Sequence, residues 1–127
     1  MAHRFQKHYS RDEARALLPQ IRTWLAELNR LRPQLEKYEQ RIEAMQGAGQ
    51  DVGGDLANNW VRTMADAHDV LAEFQRREIS VKNIERGLVD FPAIIGGREV
   101  FLCWEQDEDD IEFWHELDTG YAGRERL

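Results

Sequence analysis

The sequence has a single cysteine, Cys103, among its 127 residues, which excludes an internal disulfide and a multi-cysteine zinc site. Its longest uninterrupted apolar run is five residues, Val100 to Trp104, which is too short to span a bilayer. The first residues lack the apolar stretch of a signal peptide, so we expect a cytoplasmic protein with no membrane partner. The composition, 42% apolar and 32% charged, is typical of a single globular domain over residues 1–127.

Basic residues are scarce in the C-terminal part. Residues 1–50 carry nine basic and six acidic side chains, whereas residues 51–127 carry eight basic and eighteen acidic ones. Six of the eight residues from Glu105 to Glu112 are acidic. This charge argues against a nucleic-acid partner, because it repels a phosphate backbone. We expect the acidic run to be a solvated turn, and attraction of cations or of a basic partner is the alternative.

The N-terminal half has the pattern of a long helix. Ser10 and Glu13 have the spacing of a capping box. The apolar residues that follow recur every three or four positions: Leu17, Ile21, Trp24, Leu28, Leu31, Leu35, Tyr38, Ile42 and Met45. This pattern predicts a helix over residues 10–46 with a coiled-coil-like seam.

Two prolines lie inside this predicted helix, Pro19 and Pro33. Each removes an amide donor and presses on the carbonyl group four residues earlier. We therefore expect a kink or a break near residues 29–32.

A glycine-rich loop, residues 47–54, separates this helix from a second one predicted over residues 55–78, with Asp55 as its cap. One face of the second helix is apolar: Leu56, Trp60, Met64, Ala67, Leu71 and Phe74. Two such helices predict an antiparallel hairpin. Because each helix has one neighbour, we expect a sheet or a second copy of the chain to cover the remaining apolar surface.

The last third changes to the pattern of strands. Two apolar runs flank Gly96 and Gly97, which is a strong signal for a two-residue β-hairpin. A third strand is predicted at residues 111–115, which completes a three-stranded meander over residues 87–116, followed by an extended tail over residues 117–127. The predicted fold class is α+β, with the antiparallel sheet packed on a helical hairpin whose first helix is kinked.

The two-residue turn fixes which side chains share a face of the sheet. One face is apolar and is predicted to pack on the helices: Val89, Phe91, Ala93, Val100, Leu102 and Trp104. The other face is mixed and carries Asp90, Cys103 and Glu105. Pro92 favours an edge position for the first strand, because it cannot donate to a ladder.

The facing of His115 depends on the acidic turn. A five-residue turn, residues 106–110, places His115 on the face that carries Asp90 and Cys103, and a four-residue turn places it on the opposite face. A histidine, a thiol and a carboxylate on one face can bind a divalent transition metal such as zinc or iron. The predicted metal ligands are Asp90, Cys103 and His115, with Glu105 as a further ligand or a general base. The alternative is a buried structural cysteine beside a hydrogen-bonded histidine.

Polar residues that do not serve packing gather near one end of the predicted sheet. They form a candidate functional cluster: Asp90, Glu105, His115, Glu116, Asp118 and Arg124. Arg124 follows two glycines, and it can either orient an anionic substrate or pair with the acidic turn. Asp118 also begins an Asp-Thr-Gly triplet like that of aspartic proteases, but too little chain follows it to build such a fold. No catalytic residue is assigned from these patterns.

Four segments of the C-terminal part resemble the motifs of a small bacterial family of cytoplasmic domains of unknown function: Gly87 to Ala93, Gly97 to Trp104, Trp114 to Asp118, and Gly120 to Arg124. The resemblance extends to the helix start near Tyr9 and covers nearly the whole chain. It implies a helical N-terminal half and no particular activity or ligand. In that family the connection before the last strand is more often shorter and contains glycine.

Two functions follow as alternatives. The first is a homodimeric interaction or structural module that associates through its helices, in which case replacing Leu28 and Leu35 with glutamate is expected to abolish the dimer. The second is a small metal-binding or metal-dependent hydrolytic protein that uses the sheet residues. The sequence identifies no protein or small-molecule partner.

Overall fold

The computed structural model describes residues 2–127 and has two long helices followed by an antiparallel sheet. The strands are neighbours in the order in which they follow along the chain. The elements are α1 (Arg11–Gly47), α2 (Gly54–Arg76), β1 (Ser80–Asn83), β2 (Leu88–Ile95), β3 (Arg98–Trp104), β4 (Phe113–Glu116) and β5 (Glu125–Arg126), with a 3₁₀ turn at Tyr121–Gly123. The predicted α+β class with a helical hairpin is confirmed.

The sheet has five strands, so the predicted three-stranded meander was incomplete. β1 lies in the connector before the predicted sheet, and β5 lies in the segment predicted as an extended tail. β1 (Ser80–Asn83) contains one apolar residue and β5 (Glu125–Arg126) contains none, so neither has an alternating apolar pattern that could be recognised.

The predicted edge position of the strand that carries Pro92 was wrong, because β2 lies between β1 and β3. β1 pairs with β2 only between Leu88 and Asp90, so Pro92 lies past the end of β1, where no ladder amide is required. The Pro92 carbonyl instead accepts a hydrogen bond of 2.7 Å from the Tyr9 amide.

Helix α1 begins with the predicted capping box, in which Ser10 Oγ accepts from the Glu13 amide at 3.1 Å and Glu13 Oε1 accepts from the Ser10 amide at 3.0 Å. Of the two predicted alternatives, a kink or a break, the break did not occur, since the helix continues through Pro19 and Pro33. A proline inside a helix costs about 3 kcal/mol. Buried residues on α1, up to Leu31, offset this cost by packing on the rest of the chain.

Helix α2 has Gly53 as its N-cap, so the prediction that Asp55 caps it was wrong. Asp55 lies in the first turn, where its carboxylate interacts favourably with the helix dipole. The helix ends at Arg76, and Glu78 then takes a positive φ of 57° as the chain turns into β1.

The core lies between the helices and the apolar face of the sheet, as predicted. The sheet contributes Val89, Phe91, Ala93, Val100, Leu102 and Trp104, and α1 contributes Ala14, Leu18, Ile21, Leu25 and Leu28. Because Leu18 and Leu25 are also buried, this part of α1 has a wider buried stripe than a coiled-coil seam. Within residues 2–127, α1 has no buried residue after Leu31. None of the described helices has the length and apolar character needed to cross a membrane.

The hairpin between β2 and β3 has the predicted register. Gly96 and Gly97 both have positive φ, 58° and 78°, as a two-residue turn that matches the twist of the strands requires. Ile95 pairs with Arg98, and the pairing continues without a shift to Val89 and Trp104. The face on which each side chain of β2 and β3 lies therefore follows from the turn.

The acidic turn between β3 and β4 is held by basic residues of α1, so it is not a freely solvated turn. Arg15 donates from Nε and Nη2 to Asp110 at 2.7 and 2.9 Å. Arg22 donates to the carbonyl oxygens of Gln106 and Glu108 at 2.7 and 3.0 Å. Basic side chains of the same chain therefore occupy part of the acidic run, and attraction of cations or of a separate basic partner stays a prediction.

We predict that Leu28→Ala lowers the free energy of unfolding by about 2–5 kcal/mol, because Leu28 is buried in the core of its own chain. Leu35→Ala is the matched control, and its effect should be clearly smaller because Leu35 is only half-buried. Urea denaturation measures both, and equal losses would contradict this assignment of the core. Because Leu28 lies in this core, Leu28→Glu would unfold the chain. The glutamate substitution that the sequence analysis suggested therefore does not test dimer formation.

We also predict that Asp110 titrates with a pKa of about 2, because the Arg15 guanidinium and the Ile111 amide hydrogen-bond to its carboxylate. Since this pKa lies below the ordinary 3.8, the stabilisation is complete above pH 3.8 and is lost as the pH falls towards 2. Arg15→Met should raise the pKa of Asp110 towards 3.8. Arg11→Met should raise it less, since Arg11 makes one contact of 3.4 Å. Carboxyl NMR titrations measure these pKa values. An unchanged pKa of Asp110 in Arg15→Met would show that Arg15 does not stabilise the Asp110 carboxylate.

Candidate functional site

The three predicted metal ligands lie on the outer face of the sheet, which is the face turned away from the helices. Asp90 on β2 pairs with Cys103 on β3, and Phe101 on β3 pairs with His115 on β4. Cys103 pairs with Phe113, so the register is the one predicted for a five-residue turn. His115 therefore shares a face with Asp90 and Cys103.

These three side chains converge and are buried. One carboxylate oxygen of Asp90, the sulfur atom of Cys103 and one ring nitrogen of His115 all lie within 4.8 Å of one another. The exposed fractions of the three residues are 2%, 0% and 2%. His115 Nε2 and Asp90 Oδ1 are separated by 3.0 Å. We call these three residues the Asp-Cys-His cluster.

The hydrogen bonds of His115 leave one of its nitrogens free. Nδ1 lies 2.6 Å from the carbonyl oxygen of Glu116, so Nδ1 carries a hydrogen and donates it. In the neutral ring the other nitrogen, Nε2, then presents a lone pair. Nε2 lies 3.0 Å from Asp90 Oδ1, which is an ion-pair distance when the ring is protonated, but the two atoms are not aligned for a hydrogen bond, and within residues 2–127 neither has a hydrogen-bond partner.

A buried polar atom without a partner is costly, at about 1–3 kcal/mol for each group. Here two such atoms, on Asp90 and His115, lie side by side beneath the surface. Such pairs in native proteins call for an explanation, and a bound ion that both atoms contact is one of the standard ones. The arrangement can hold a cation between the carboxylate and the imidazole.

Burial and the nearby Asp90 carboxylate raise the pKa of the Cys103 thiol to about 12. The Arg124 guanidinium, with Nη1 4.0 Å from the sulfur, acts in the opposite direction. At neutral pH the thiol of the metal-free protein is therefore protonated. Because the thiolate is the nucleophilic form, Cys103 does not act as a nucleophile on its own.

Arg124 closes the cluster on the side of Cys103. Its guanidinium lies between the rings of Phe113 and Tyr121, at 3.9 and 4.4 Å from their centroids. It also donates to both oxygens of Glu108, at 3.2 and 2.5 Å. Of the two roles considered for Arg124, the structure supports the ion pair with the acidic turn.

The other carboxylates of the predicted functional cluster do not join these three. Glu105 accepts two hydrogen bonds of 3.0 Å from Arg86, which lower the pKa of its carboxyl group. Glu116 forms an ion pair with Arg98. Asp118 is almost fully exposed and lies 3.5 Å from Arg4. These carboxylates are therefore engaged by arginines around the sheet, and Glu105 is not within the Asp-Cys-His cluster.

A cleft of about 360 Å³ leads to the cluster from the surface. Asp90 and His115 line it, whereas Cys103 does not. The remaining lining residues come from β1, β2, β3 and the C-terminal segment: Lys82, Leu88, Phe101, Leu117, Asp118, Thr119, Gly120 and Tyr121. The cluster is thus reached from the side of the carboxylate and the imidazole.

The sequence did not indicate one further grouping or one residue of the cleft. His3, His8 and Glu99 come together near the N-terminus, but 91 residues separate His8 from Glu99, so no local spacing marks them. Glu99 also accepts from the amides of Arg4 and Phe5 at 2.7 and 3.0 Å, so this grouping anchors the N-terminal segment. Lys82, which lines the cleft, was missed because β1 was not predicted.

Comparisons with known proteins give one match. The chain matches none of the curated proteins and none of the solved structures. The model of a family described as "Uncharacterized conserved protein (DUF2203)" matches residues 7–127. This agrees with the expected domain of unknown function. Because the match covers nearly the whole chain, the protein belongs to the DUF2203 family of uncharacterised conserved proteins.

Proposed function

We propose that the protein binds one divalent transition metal ion through the Asp90 carboxylate, the Cys103 thiolate and His115 Nε2. The observation that carries this proposal is the pair of buried polar atoms, Asp90 Oδ1 and His115 Nε2, that have no hydrogen-bond partner within residues 2–127. A metal ion contacting both atoms would satisfy them, and the Cys103 sulfur lies within reach of the same position.

The donor set favours zinc or iron over calcium or magnesium. A thiolate and an imidazole suit transition metals, whereas calcium and magnesium prefer oxygen ligands. In a tetrahedral zinc site with bonds of about 2.0–2.3 Å, ligand atoms are separated by roughly 3.5 Å. The donor atoms of the Asp-Cys-His cluster all lie within 4.8 Å of one another, with 3.0 Å between the Asp90 oxygen and the His115 nitrogen, so small side-chain movements suffice.

Neighbouring groups support two of the three ligands. The carbonyl oxygen of Glu116 orients the His115 ring and fixes its tautomer, as partners of metal-bound histidines commonly do. The Arg124 guanidinium beside the Cys103 sulfur would balance part of the thiolate charge. Metal binding would displace the thiol proton, because a coordinating thiol is deprotonated.

Three protein ligands leave a tetrahedral ion one open position, which is typical of catalytic zinc sites. The cleft beside Asp90 and His115 would give water or a small molecule access to that position. A metal-dependent hydrolytic function is the enzymatic form of this proposal, in which the metal activates water. Glu105 is not proposed as the general base, because Arg86 engages it.

We predict that the protein binds one zinc ion per chain and that His115→Ala abolishes this binding. Cys103→Ser keeps the volume of the side chain, removes the soft donor and should weaken zinc binding by at least about tenfold. His68→Ala is the control, because His68 is exposed on α2 and should leave binding unchanged. Native mass spectrometry before and after a chelator measures the occupancy. Wild-type occupancy in both variants, with folding verified by circular dichroism, would exclude the assigned ligands.

We also propose a homodimer, as a second candidate function, in which the outer part of the helical hairpin is the interface. The hairpin extends past the sheet, since the described part of α1 has no buried residue after Leu31. The apolar pattern nevertheless continues there through Leu35, Tyr38 and Ile42, which are only half-buried. On α2, Val61 and Met64 are 57% and 44% exposed. A second copy would cover this surface.

We predict that Val61→Glu combined with Met64→Glu converts the dimer into a folded monomer. Both side chains are exposed within one chain, so the substitutions should leave the fold intact. Ile94→Glu is the control, because Ile94 is also exposed but lies on β2. Sedimentation velocity measures the mass, and a wild-type protein that is monomeric at micromolar concentration would reject the dimer.

A further inference from the structure

We propose that His3, His8 and Glu99 form a second metal site, which binds Cu²⁺ near the protein surface. This site is separate from the Asp-Cys-His cluster and does not depend on it. Glu99 and Cys103 are four positions apart on β3, so they lie roughly 13 Å apart along the strand. The ions of a two-metal centre lie about 3.5–4 Å apart, so the two sites cannot act as one such centre.

The three donors come from two parts of the chain that meet on the outer face of the sheet. His3 and His8 belong to the N-terminal segment, residues 2–9, and Glu99 belongs to β3. One ligand atom of each residue lies within 4.8 Å of those of the other two. His8 Nε2 lies 2.7 Å from Glu99 Oε2, and the centroids of the two imidazole rings are 5.1 Å apart. Small movements of these side chains would let one ion contact all three.

The charge of Glu99 favours a cation at this position. Its side chain is only 9% exposed. The amides of Arg4 and Phe5 donate hydrogen bonds to its carboxylate, which favours the charged form. Within residues 2–127 its only ion-pair partner is His8, which is charged only when it is protonated. When His8 is neutral, a nearly buried negative charge therefore has no cation beside it, and a metal ion would supply one.

The donor set favours copper. Two imidazoles and a carboxylate offer nitrogen and oxygen, and Cu²⁺ binds such donors more tightly than the other divalent first-row ions do. The site has no thiolate, so one equivalent of zinc would occupy the Asp-Cys-His cluster first. In the neutral ring His8 Nε2 donates its hydrogen to Glu99. An ion bound to Nε2 would take the place of that hydrogen, and the ring would then carry its hydrogen on Nδ1.

Solvent reaches the site through a recess of about 410 Å³. The recess is lined by Ala2, His3, Gly97, Arg98 and Glu99. Water can therefore fill the remaining positions on an ion held by three protein ligands. Arg98 is the only arginine or lysine among the lining residues, and its ion pair with Glu116 offsets its repulsion of a cation.

The test adds Cu²⁺ to the full-length protein after one equivalent of zinc has been supplied. Electron paramagnetic resonance detects Cu²⁺ and not zinc, and couplings to nitrogen count the imidazoles bound to the copper. We expect one Cu²⁺ per chain with two imidazole nitrogens. We expect no intense absorption from a thiolate–copper bond, because Cys103 is not a ligand of this site.

Variants connect the copper signal to the three residues. His3→Ala, His8→Gln and Glu99→Gln should each weaken copper binding by at least about tenfold, and His8→Gln keeps a hydrogen-bond donor beside Glu99. Glu78→Gln is the matched control for Glu99→Gln. Glu78 also accepts hydrogen bonds from two amides of the N-terminal segment, at 3.0 and 2.8 Å, but it is not one of the three ligands. It should leave copper binding unchanged, with folding verified by circular dichroism.

Each contrary result overturns the inference in a different way. Without a copper signal that shows two imidazole nitrogens, the site does not exist. If only His3→Ala weakens binding, His3 holds the ion with the backbone beside it and the shared site is wrong. Equal weakening in Glu78→Gln would show that anchoring of the segment matters and not a Glu99 ligand.

The result is independent of the Asp-Cys-His cluster. A protein that binds no zinc overturns the proposal for that cluster and leaves the copper test as it stands. His115→Ala should abolish the binding of one equivalent of zinc without changing the copper signal. A copper signal that disappears in His115→Ala would place the ion at the cluster and overturn the second site.

Discussion

The buried contact between Asp90 and His115 is the constraint around which the C-terminal half is arranged. Their facing atoms lie 3.0 Å apart without a hydrogen bond and are almost fully removed from solvent. Such an arrangement persists only when surrounding structure holds both side chains in place. The β2–β3 turn fixes the position of Asp90. The Glu116 carbonyl and the register of β4 fix the position of His115. The proposed metal ion would contact both atoms and so satisfy them.

The uneven charge of the chain also has a structural role, because basic residues hold the acidic turn in place. The acidic turn sets the register of β4, and the arginines of α1 hold that turn through Asp110 and two backbone carbonyls. A further arginine, Arg124, binds the same turn at Glu108 and reaches the Cys103 sulfur. Ion pairs at a surface contribute little individually, but a connected set can fix the position of a loop. The helices thus determine, through the turn, where His115 lies.

Local patterns predicted the parts of the molecule that depend on local chemistry. The Ser10 capping box and the Gly96–Gly97 turn were correct, and the turn alone placed Asp90 and Cys103 on one face. The position of His115 required a choice between two turn lengths, because the arginines that hold the turn are about 90 residues away. β1 and β5 were missed because they contain one apolar residue and none, respectively, and so show no alternating pattern. Without β1, Lys82 and the cleft could not be foreseen.

The central claim is that one metal ion is bound by a sulfur, a nitrogen and an oxygen of this chain. X-ray absorption spectroscopy of the zinc-loaded protein tests it most directly, because sulfur and lighter ligands scatter at different distances. We expect the zinc ion to have one sulfur neighbour at about 2.3 Å, with nitrogen and oxygen neighbours at about 2.0–2.2 Å. A shell that contains only nitrogen and oxygen would contradict the account, because Cys103 would then not be a ligand.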